Sequence, residues 1–363
     1  LAREITSLIV GNTGDGTVVA EDGTALTVGA DSNPFDGNGD DFFNTTLEVA
    51  AEPGSEGTLR VRGDRSEIIT VGADSAISIG DEGTGTLIAE DGATINTLNL
   101  LIGRSGNGTA ILRGANTEVV ASTDFASYEG EFAEEAGFVE VTDSGEGRLE
   151  VLDGADLTIR NGDVANTQTF GPGLNIGDQP GSEGDVVVDG VGSRIALLQD
   201  SPAGDFGPFL DVGNGLGQGD MMIRNQGELL LRGPNNAVVI GGADADASEA
   251  SNDATLNEKS TLIIESGGQF RMVDLVDSDQ GSHFVLGSGV QGEGDGDVVV
   301  DGRGSLLSVS GPNFLQFSVG NDGRGTLDVT DGGLVRVAGT NRETSNVNVN
   351  IGDDTPEARG AVI

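Results

Sequence analysis

The sequence predicts an all-β fold, a right-handed parallel β-helix in which three sheets form a solenoid of about eleven coils with loop insertions. Three observations predict it. A short module led by glycine recurs along the chain, apolar residues alternate with polar ones on both sides of each module's turn, and glycine supplies 61 of 363 residues. An average protein contains about 7% glycine, so this excess without a collagen period indicates many tight turns.

The glycine-led module defines the repeat. Its starts are separated by 23 residues (Thr86 to Thr109) to 41 residues (Thr17 to Thr58), and a glycine precedes every start except Thr261. Periods of this length are typical of one solenoid coil with loops of variable length. The starts are Thr17, Thr58, Thr86, Thr109, Arg148, Asp185, Asp220, Thr261, Asp297, Thr326 and Ala361.

Alternation of apolar and polar residues predicts strands on both sides of each module's turn. In one version of the module, such as 325–337, a short Asp-Gly or Gly-Gly turn joins the strands, and in the other, such as 296–305, a longer turn ends in Ser or Thr. The two versions alternate except around 220–261. A third strand is predicted to end at a glycine in each period, as in 77–80 and 210–213.

Three strands and three turns per period predict a triangular coil, and stacked coils predict three parallel sheets. The right hand follows from the strong preference of parallel crossovers for that hand. We expect one continuous β-helix domain over residues 1–363, and the start at Leu1 rather than Met indicates part of a longer chain. Insertions interrupt the array at 31–44, 122–137 and 241–260, with shorter excursions at 161–173 and 199–208.

The formal net charge of −42 restricts the partners of the chain. Such a surface repels nucleic-acid phosphates and anionic lipid headgroups, so we expect no nucleic-acid partner. The sequence has no run of 18 apolar residues that would span a membrane, and it has no cysteine for disulfides. Two explanations of the acidity stay open: a solvated surface suited to a salty medium, and rigidity that depends on calcium.

A longer pattern joins the two versions of the module. Residues 296–305 follow G-x-V-x-V-x-G-x-G-S, and residues 317–333 follow L-x-V-G-x-x-G-x-G-T-L-x-V-x-x-G-G with Phe317 at its first position. Copies lie at 185–193 and at 210–213 with 220–227. The pattern resembles the glycine-rich β-helix repeats of autotransporter passengers and PEP-CTERM-associated proteins of bacterial surfaces. The resemblance implies an exported β-helix used as a stalk, adhesin or matrix component, without general catalytic residues. This chain departs from that family in being far more acidic.

One acidic loop has the spacing of a calcium ligand set. Asp36, Asn38 and Asp40 follow the D-x-N-x-D pattern, in which alternate oxygens face one ion. The helix–loop–helix form of the motif does not fit, because position six is Asp41 rather than Gly and position twelve is Leu47 rather than Glu. The three residues are therefore calcium candidates, with an acidic solvated loop as the alternative reading, and no cofactor is required.

The sequence offers little to an enzyme. Polysaccharide lyases and hydrolases need clustered carboxylates and a base, but most aspartates here occupy repeated turn positions, and the one histidine, His283, adjoins an apolar strand. We therefore expect no catalytic residues and a structural or adhesive stalk at the bacterial surface or in the extracellular matrix. Expected partners are further copies in a filament or lattice, neighbouring domains, or surface glycans. The alternative is a polysaccharide-active β-helix enzyme.

Overall fold

The chain folds as a right-handed parallel β-helix, seen in a computed structural model. Its described residues form 33 strands in three sheets of eleven, and each coil contributes one strand to each sheet. Every inter-strand ladder given for these sheets is parallel. The structure describes residues 2–29, 45–72, 75–123, 137–161, 171–199, 207–213, 217–243, 259–275, 281–289, 294–312, 314–341, 345–353 and 359–362.

The strands follow one another in the order sheet A, sheet B, sheet C in every coil. Coils 1 to 4 comprise β1 (Ala2–Ile5), β2 (Leu8–Val10), β3 (Asp15–Ala20), β4 (Ala25–Val28), β5 (Thr45–Val49), β6 (Glu56–Arg62), β7 (Glu67–Thr70), β8 (Ala76–Ile79), β9 (Thr84–Glu90), β10 (Thr94–Thr97), β11 (Asn99–Ile102) and β12 (Asn107–Arg113). Coils 5 to 8 comprise β13 (Glu118–Ser122), β14 (Phe138–Val141), β15 (Glu146–Leu152), β16 (Asp156–Arg160), β17 (Gly173–Ile176), β18 (Glu183–Asp189), β19 (Arg194–Leu198), β20 (Phe209–Val212), β21 (Gln218–Arg224), β22 (Glu228–Gly233), β23 (Ala237–Ala243) and β24 (Ser260–Glu265). Coils 9 to 11 comprise β25 (Gln269–Asp274), β26 (Ser282–Gly289), β27 (Asp295–Asp301), β28 (Leu306–Gly311), β29 (Phe314–Asn321), β30 (Arg324–Thr330), β31 (Leu334–Gly339), β32 (Asn346–Asp353) and β33 (Arg359–Val362).

The eleven module starts, one from each coil, are stacked in one continuous row along sheet C. Thr17 pairs with Thr58, Thr58 with Thr86, and the series continues without a shift to Thr326 and Ala361. The predicted repeat and number of coils are therefore confirmed. A shift by one residue would turn every inward side chain outward, which is why the apolar alternation fixes this register.

The core is a single apolar column inside the three sheets. Leu149, Val151, Leu157 and Ile159, which alternate around one turn, are all 0% exposed, as the alternation predicts. Burying a side chain of this size contributes about 1.5–3 kcal/mol. The described residues include no helical segment with the length and hydropathy that a membrane span requires.

The short turn of one coil is hydrogen-bonded to the long turn of the next coil. In the short turn, Asp153 (φ 54°) and Gly154 (φ 89°) are both left-handed, as in a type I′ turn. Ser193, which ends the long turn of the next coil, accepts a hydrogen bond from Gly154 N (2.9 Å) and donates one to Asp189 O (2.6 Å). This hydrogen bond explains why short and long turns alternate along the chain. Equivalent bonds join Gly23 to Ser66, Gly92 to Thr117 and Gly267 to Ser305.

The predicted glycine after each sheet B strand is absent in two coils. This corner needs a left-handed residue close to the next coil: at Gly103 (φ 72°) a Cβ would lie 2.1 Å from Glu146 O. Ala50 (φ 64°) and Thr142 (φ 68°) take its place in coils 2 and 5. A β-branched residue is strained there. The Thr142 hydroxyl offsets part of the strain, because it donates to Gly103 O (3.0 Å) and accepts from Gly145 N (3.1 Å).

Insertions enter the fold only beside sheet B. All ten connections from sheet C to sheet A contain three or four residues and belong to the described part of the chain. The predicted insertions 31–44 and 122–137 connect sheets A and B, and 241–260 connects sheets B and C, but Ser122, residues 241–243 and Ser260 belong to strands β13, β23 and β24. Residues 30–44, 124–136 and 244–258 within them lie outside the described residues.

Candidate cation site at the corner of coils 5 and 6

The structure leaves the predicted calcium ligands untested. Asp36, Asn38 and Asp40 lie outside the described residues, so their assignment stays a prediction. His283 does lie in a described strand, β26, where its Nδ1 is 3.3 Å from Gln316 Oε1 on the next coil. Its ring is also 6.0 Å from that of Phe314, centroid to centroid. His283 thus contacts the next coil, beside the apolar strand residues that the sequence places next to it.

Three carboxylates that the sequence did not single out meet at the corner between sheets B and C. Glu140 lies in β14 between the inward-facing Val139 and Val141, so its side chain is on the outer face of sheet B. Asp143 follows the Thr142 corner of the same coil, and Asp178 follows the Gly177 corner of the next coil. One carboxylate oxygen of each residue lies within 4.8 Å of the other two.

Stacking of the coils explains why these residues meet. Val141 pairs with Ile176, so the next corner residues, Thr142 and Gly177, are stacked in adjacent coils. Asp178 N also donates a hydrogen bond to Thr142 O (3.3 Å), which holds the two corners together. Thr142, with its left-handed backbone, lies between Glu140 and Asp143 and turns the chain so that both carboxylates lie at one corner.

The electrostatics of the cluster favour a bound cation. Burial, with the Asp143 and Asp178 carboxylates, raises the pKa of Glu140 to about 7, and Arg104 opposes this shift. Burial also raises the pKa of Asp143, again against Arg104. The Arg104 guanidinium itself forms an ion pair with Asp81, at 3.7 Å. The three carboxylates therefore carry a negative potential that this arginine only partly balances.

A buried amide oxygen lies next to Glu140 on the following coil, coil 6. Asn175 of β17 is the register partner of Glu140, so their backbones are about 4.8 Å apart. The Asn175 Oδ1 atom is buried and has no hydrogen-bond partner. Carboxylate and amide oxygens are the donor set of hard cations such as calcium. Acid–base chemistry is the other use of a carboxyl group whose pKa lies near neutrality.

Sequence reasoning missed this cluster because its members do not follow a local spacing. Asp143 and Asp178 come from different coils, with the excursion 161–173 between them. One signal was present: the glycine predicted at the end of the third strand is replaced by Thr142 directly before an aspartate.

The fold and the corner geometry define the class of protein: a right-handed parallel β-helix solenoid with insertions on both sides of one sheet, sheet B. No protein-family model matches the chain. No curated protein matches it either. Among solved structures, it is similar to a TibA fragment whose crystal structure is described as hyper-glycosylated by TibC catalysis, at 12% identity. The alignment covers 95% of this chain and 100% of that one with a TM-score of 0.17, a likeness that carries no argument about function.

Proposed function

We propose that the protein is a structural β-helix, a stiff spacer in an exported bacterial surface or matrix protein that also displays adhesive loops. The observation that carries this proposal is the continuous pairing of strands in three sheets through eleven coils. Each coil is hydrogen-bonded along all three sides to the next, so bending the rod requires stretching ladders rather than moving a hinge. Ten steps of about 4.8 Å give a rod about 48 Å long.

Placement of the insertions supports a display role. They flank sheet B on both sides, while the edge between sheets C and A has only tight turns. Loops at 31–44, 122–137 and 241–260 therefore leave the rod at the borders of one sheet. In this proposal they contact surface glycans or proteins, and the other two faces serve as scaffold.

The last coil supports self-association or contact with a neighbouring domain. Val349 and Ile351 of β32 continue the inward-facing rows of Phe317 and Val319, yet they are 55% and 54% exposed. Val362, which continues the row of Leu327, is 50% exposed. Another β-coil, from a second copy or a neighbouring domain, would cover these side chains and pair with the open strand edges.

One observation favours a second candidate, an enzyme acting on polysaccharides. Glu140, with its pKa near neutrality, has two further carboxylates and Arg104 close by. Glu140 is only 9% exposed, however, and a polymer must reach the carboxyl group that protonates it. We therefore propose that the protein is not an enzyme.

Electron microscopy and a glycan panel together test the function. The purified chain should appear as rods about 48 Å long, and deletion of 244–258 should abolish any saturable ligand binding while the melting curve is kept. Filaments or sheets would add an assembly role. Compact or flexible particles would refute the spacer. Glycan turnover that is lost in Glu140→Gln, with the rods intact, would establish the enzyme instead.

A further inference from the structure

We propose that Glu140, Asp143 and Asp178 bind one divalent cation of the calcium class, which ties coil 5 to coil 6. The proposal does not depend on the spacer function. The ligand oxygens lie within 4.8 Å of one another. Calcium–oxygen bonds are about 2.3–2.6 Å long, so ligands on opposite sides of one ion are about 4.6–5.2 Å apart. One ion can therefore contact all three carboxylates without moving the coils.

A buried amide oxygen without a partner, beside a carboxylate that is little exposed, points to a ligand at this corner. Glu140 is 9% exposed and forms no hydrogen bond or ion pair with any described residue. Asn175 Oδ1, one coil away, is buried and also has no hydrogen-bond partner. Burying such acceptors is costly unless something replaces the lost water. A cation at the corner would satisfy the Glu140 carboxylate directly and give the Asn175 oxygen a partner.

The donor set selects calcium over other metals. All the ligand atoms are oxygens, from Glu140, Asp143, Asp178 and the nearby Asn175. Soft or borderline metals prefer sulfur and imidazole ligands. Magnesium keeps most of its waters and takes one or two carboxylates, whereas calcium accepts six to eight oxygens with flexible geometry. Three carboxylates and an amide oxygen, completed by water, therefore suit calcium.

The site would join two successive coils at a corner far along the chain from the turn that connects them. Glu140 and Asp143 belong to coil 5, and Asn175 and Asp178 belong to coil 6. The backbone bonds across this step include Asp178 N to Thr142 O (3.3 Å) and Gln179 N to Asp143 O (3.0 Å). A bound ion should slow the opening of both bonds, which gives the proposal a local readout.

Calorimetric titration of the whole chain with CaCl₂, in 0.15 M NaCl after chelation, tests the proposal against a matched variant. Glu140→Gln removes one ligand, and Glu146→Gln makes the same change at an exposed position of the same coil. The wild type and Glu146→Gln should share one saturable site, with a Kd of about 10⁻⁴–10⁻³ M as in extracellular calcium modules. Glu140→Gln should bind at least about 10-fold more weakly. Neutralising a buried carboxylate is not expected to unfold the chain, and Asp178→Asn serves as the second variant.

Hydrogen exchange supplies the local readout. At a calcium concentration of 100 Kd, opening of the Asp178 and Gln179 amides should slow by up to about 100-fold in the wild type and hardly change in Glu140→Gln. Equal calcium binding by Glu140→Gln and Glu146→Gln would overturn the proposal. Exchange at these amides that does not respond to calcium would also overturn it, and binding of MgCl₂ as tight as CaCl₂ would overturn the assignment to calcium. None of these failures bears on the rod shape that tests the spacer.

Discussion

Glu90 forms an ionic clamp across three coils, and its removal is a sharp test of how the coils are held. The side chain lies at the end of β9 on the outer face, yet the residue is only 3% exposed. Arg60 of coil 2 donates from Nε to Oε1 (2.6 Å), and Arg113 of coil 4 donates from Nε to Oε2 (2.8 Å). Glu90→Gln keeps the volume but leaves two guanidinium groups facing a neutral amide.

The two arginines set the size of the effect. A hydrogen bond to a charged group contributes about 1.5–3 kcal/mol, and each carboxylate oxygen accepts from one arginine. The arginine side chains are 37% and 48% exposed, so water replaces part of what is lost. We therefore expect Glu90→Gln to lower the free energy of unfolding by about 2 kcal/mol at pH 7, between the values for exposed and buried ion pairs. Urea unfolding followed by circular dichroism measures it.

The pH dependence of the stability difference between wild type and Glu90→Gln shows whether the charge of Glu90 causes it. Burial alone would raise the pKa of Glu90, but hydrogen bonds from Arg113 and Arg60 outweigh it and hold the pKa below its ordinary value. A carboxyl group with a lowered pKa stabilises the fold above its unfolded pKa and loses this contribution as the pH falls through its folded pKa. The difference between wild type and Glu90→Gln should therefore shrink below about pH 4.3.

A matched control decides the result. Glu118→Gln makes the same change at an exposed position and should alter stability by less than about 0.5 kcal/mol. A Glu90→Gln effect no larger than this control, or one that is unchanged from pH 7 to pH 3, would refute the clamp.

Three further predictions follow from the packing, the turns and a second carboxyl group. Phe284→Ala should cost about 3–5 kcal/mol in urea unfolding, because the ring stacks on Phe317 (5.0 Å) and meets Phe270 edge-on (5.5 Å); a cost under about 1 kcal/mol would contradict this. Ser193→Ala should cost about 1 kcal/mol and speed exchange of the Gly154 amide, and unchanged exchange would argue against the turn-to-turn bond. Burial and, to a smaller extent, the Asp81 carboxylate raise the pKa of Glu48. The stabilisation of the fold by the protonated Glu48 is therefore fully present below the unfolded pKa and is lost as the pH rises through the folded pKa. Glu48→Gln should thus be more stable than wild type at pH 7 and equal to it below about pH 4.3, and equal stability at both would refute the assignment.

Most of the fold was predictable because the repeat constrains it many times over. The module recurs eleven times, ten of them led by a glycine, and the register of sheet C places Thr17 through Ala361 in one row. The alternation of turns was visible in the sequence, but its cause was not. The bond from Gly154 N to Ser193 Oγ joins residues 39 positions apart, and no local pattern shows it.

The candidate site could not be predicted because it depends on contacts between coils. Glu140 and Asp178 are brought together by the pairing of Val141 with Ile176, across a connection whose length is not set by the repeat. The calcium-loop pattern places alternate oxygens within one loop, and it therefore predicted Asp36, Asn38 and Asp40. In a stacked fold, ligands one coil apart are closer than the sequence suggests.

The bond between successive turns also determines how such a chain can change its length in evolution. Four short turns each donate a hydrogen bond to a hydroxyl of the coil after them, as Gly154 does to Ser193, so a short turn and the long turn that follows it form a unit of two coils. Gain or loss of a whole pair leaves each of these short turns with its hydroxyl acceptor. The two successive short turns at 225–227 and 266–268 are the arrangement that an odd change leaves. Designed variants of this protein should therefore be lengthened or shortened by two coils at a time.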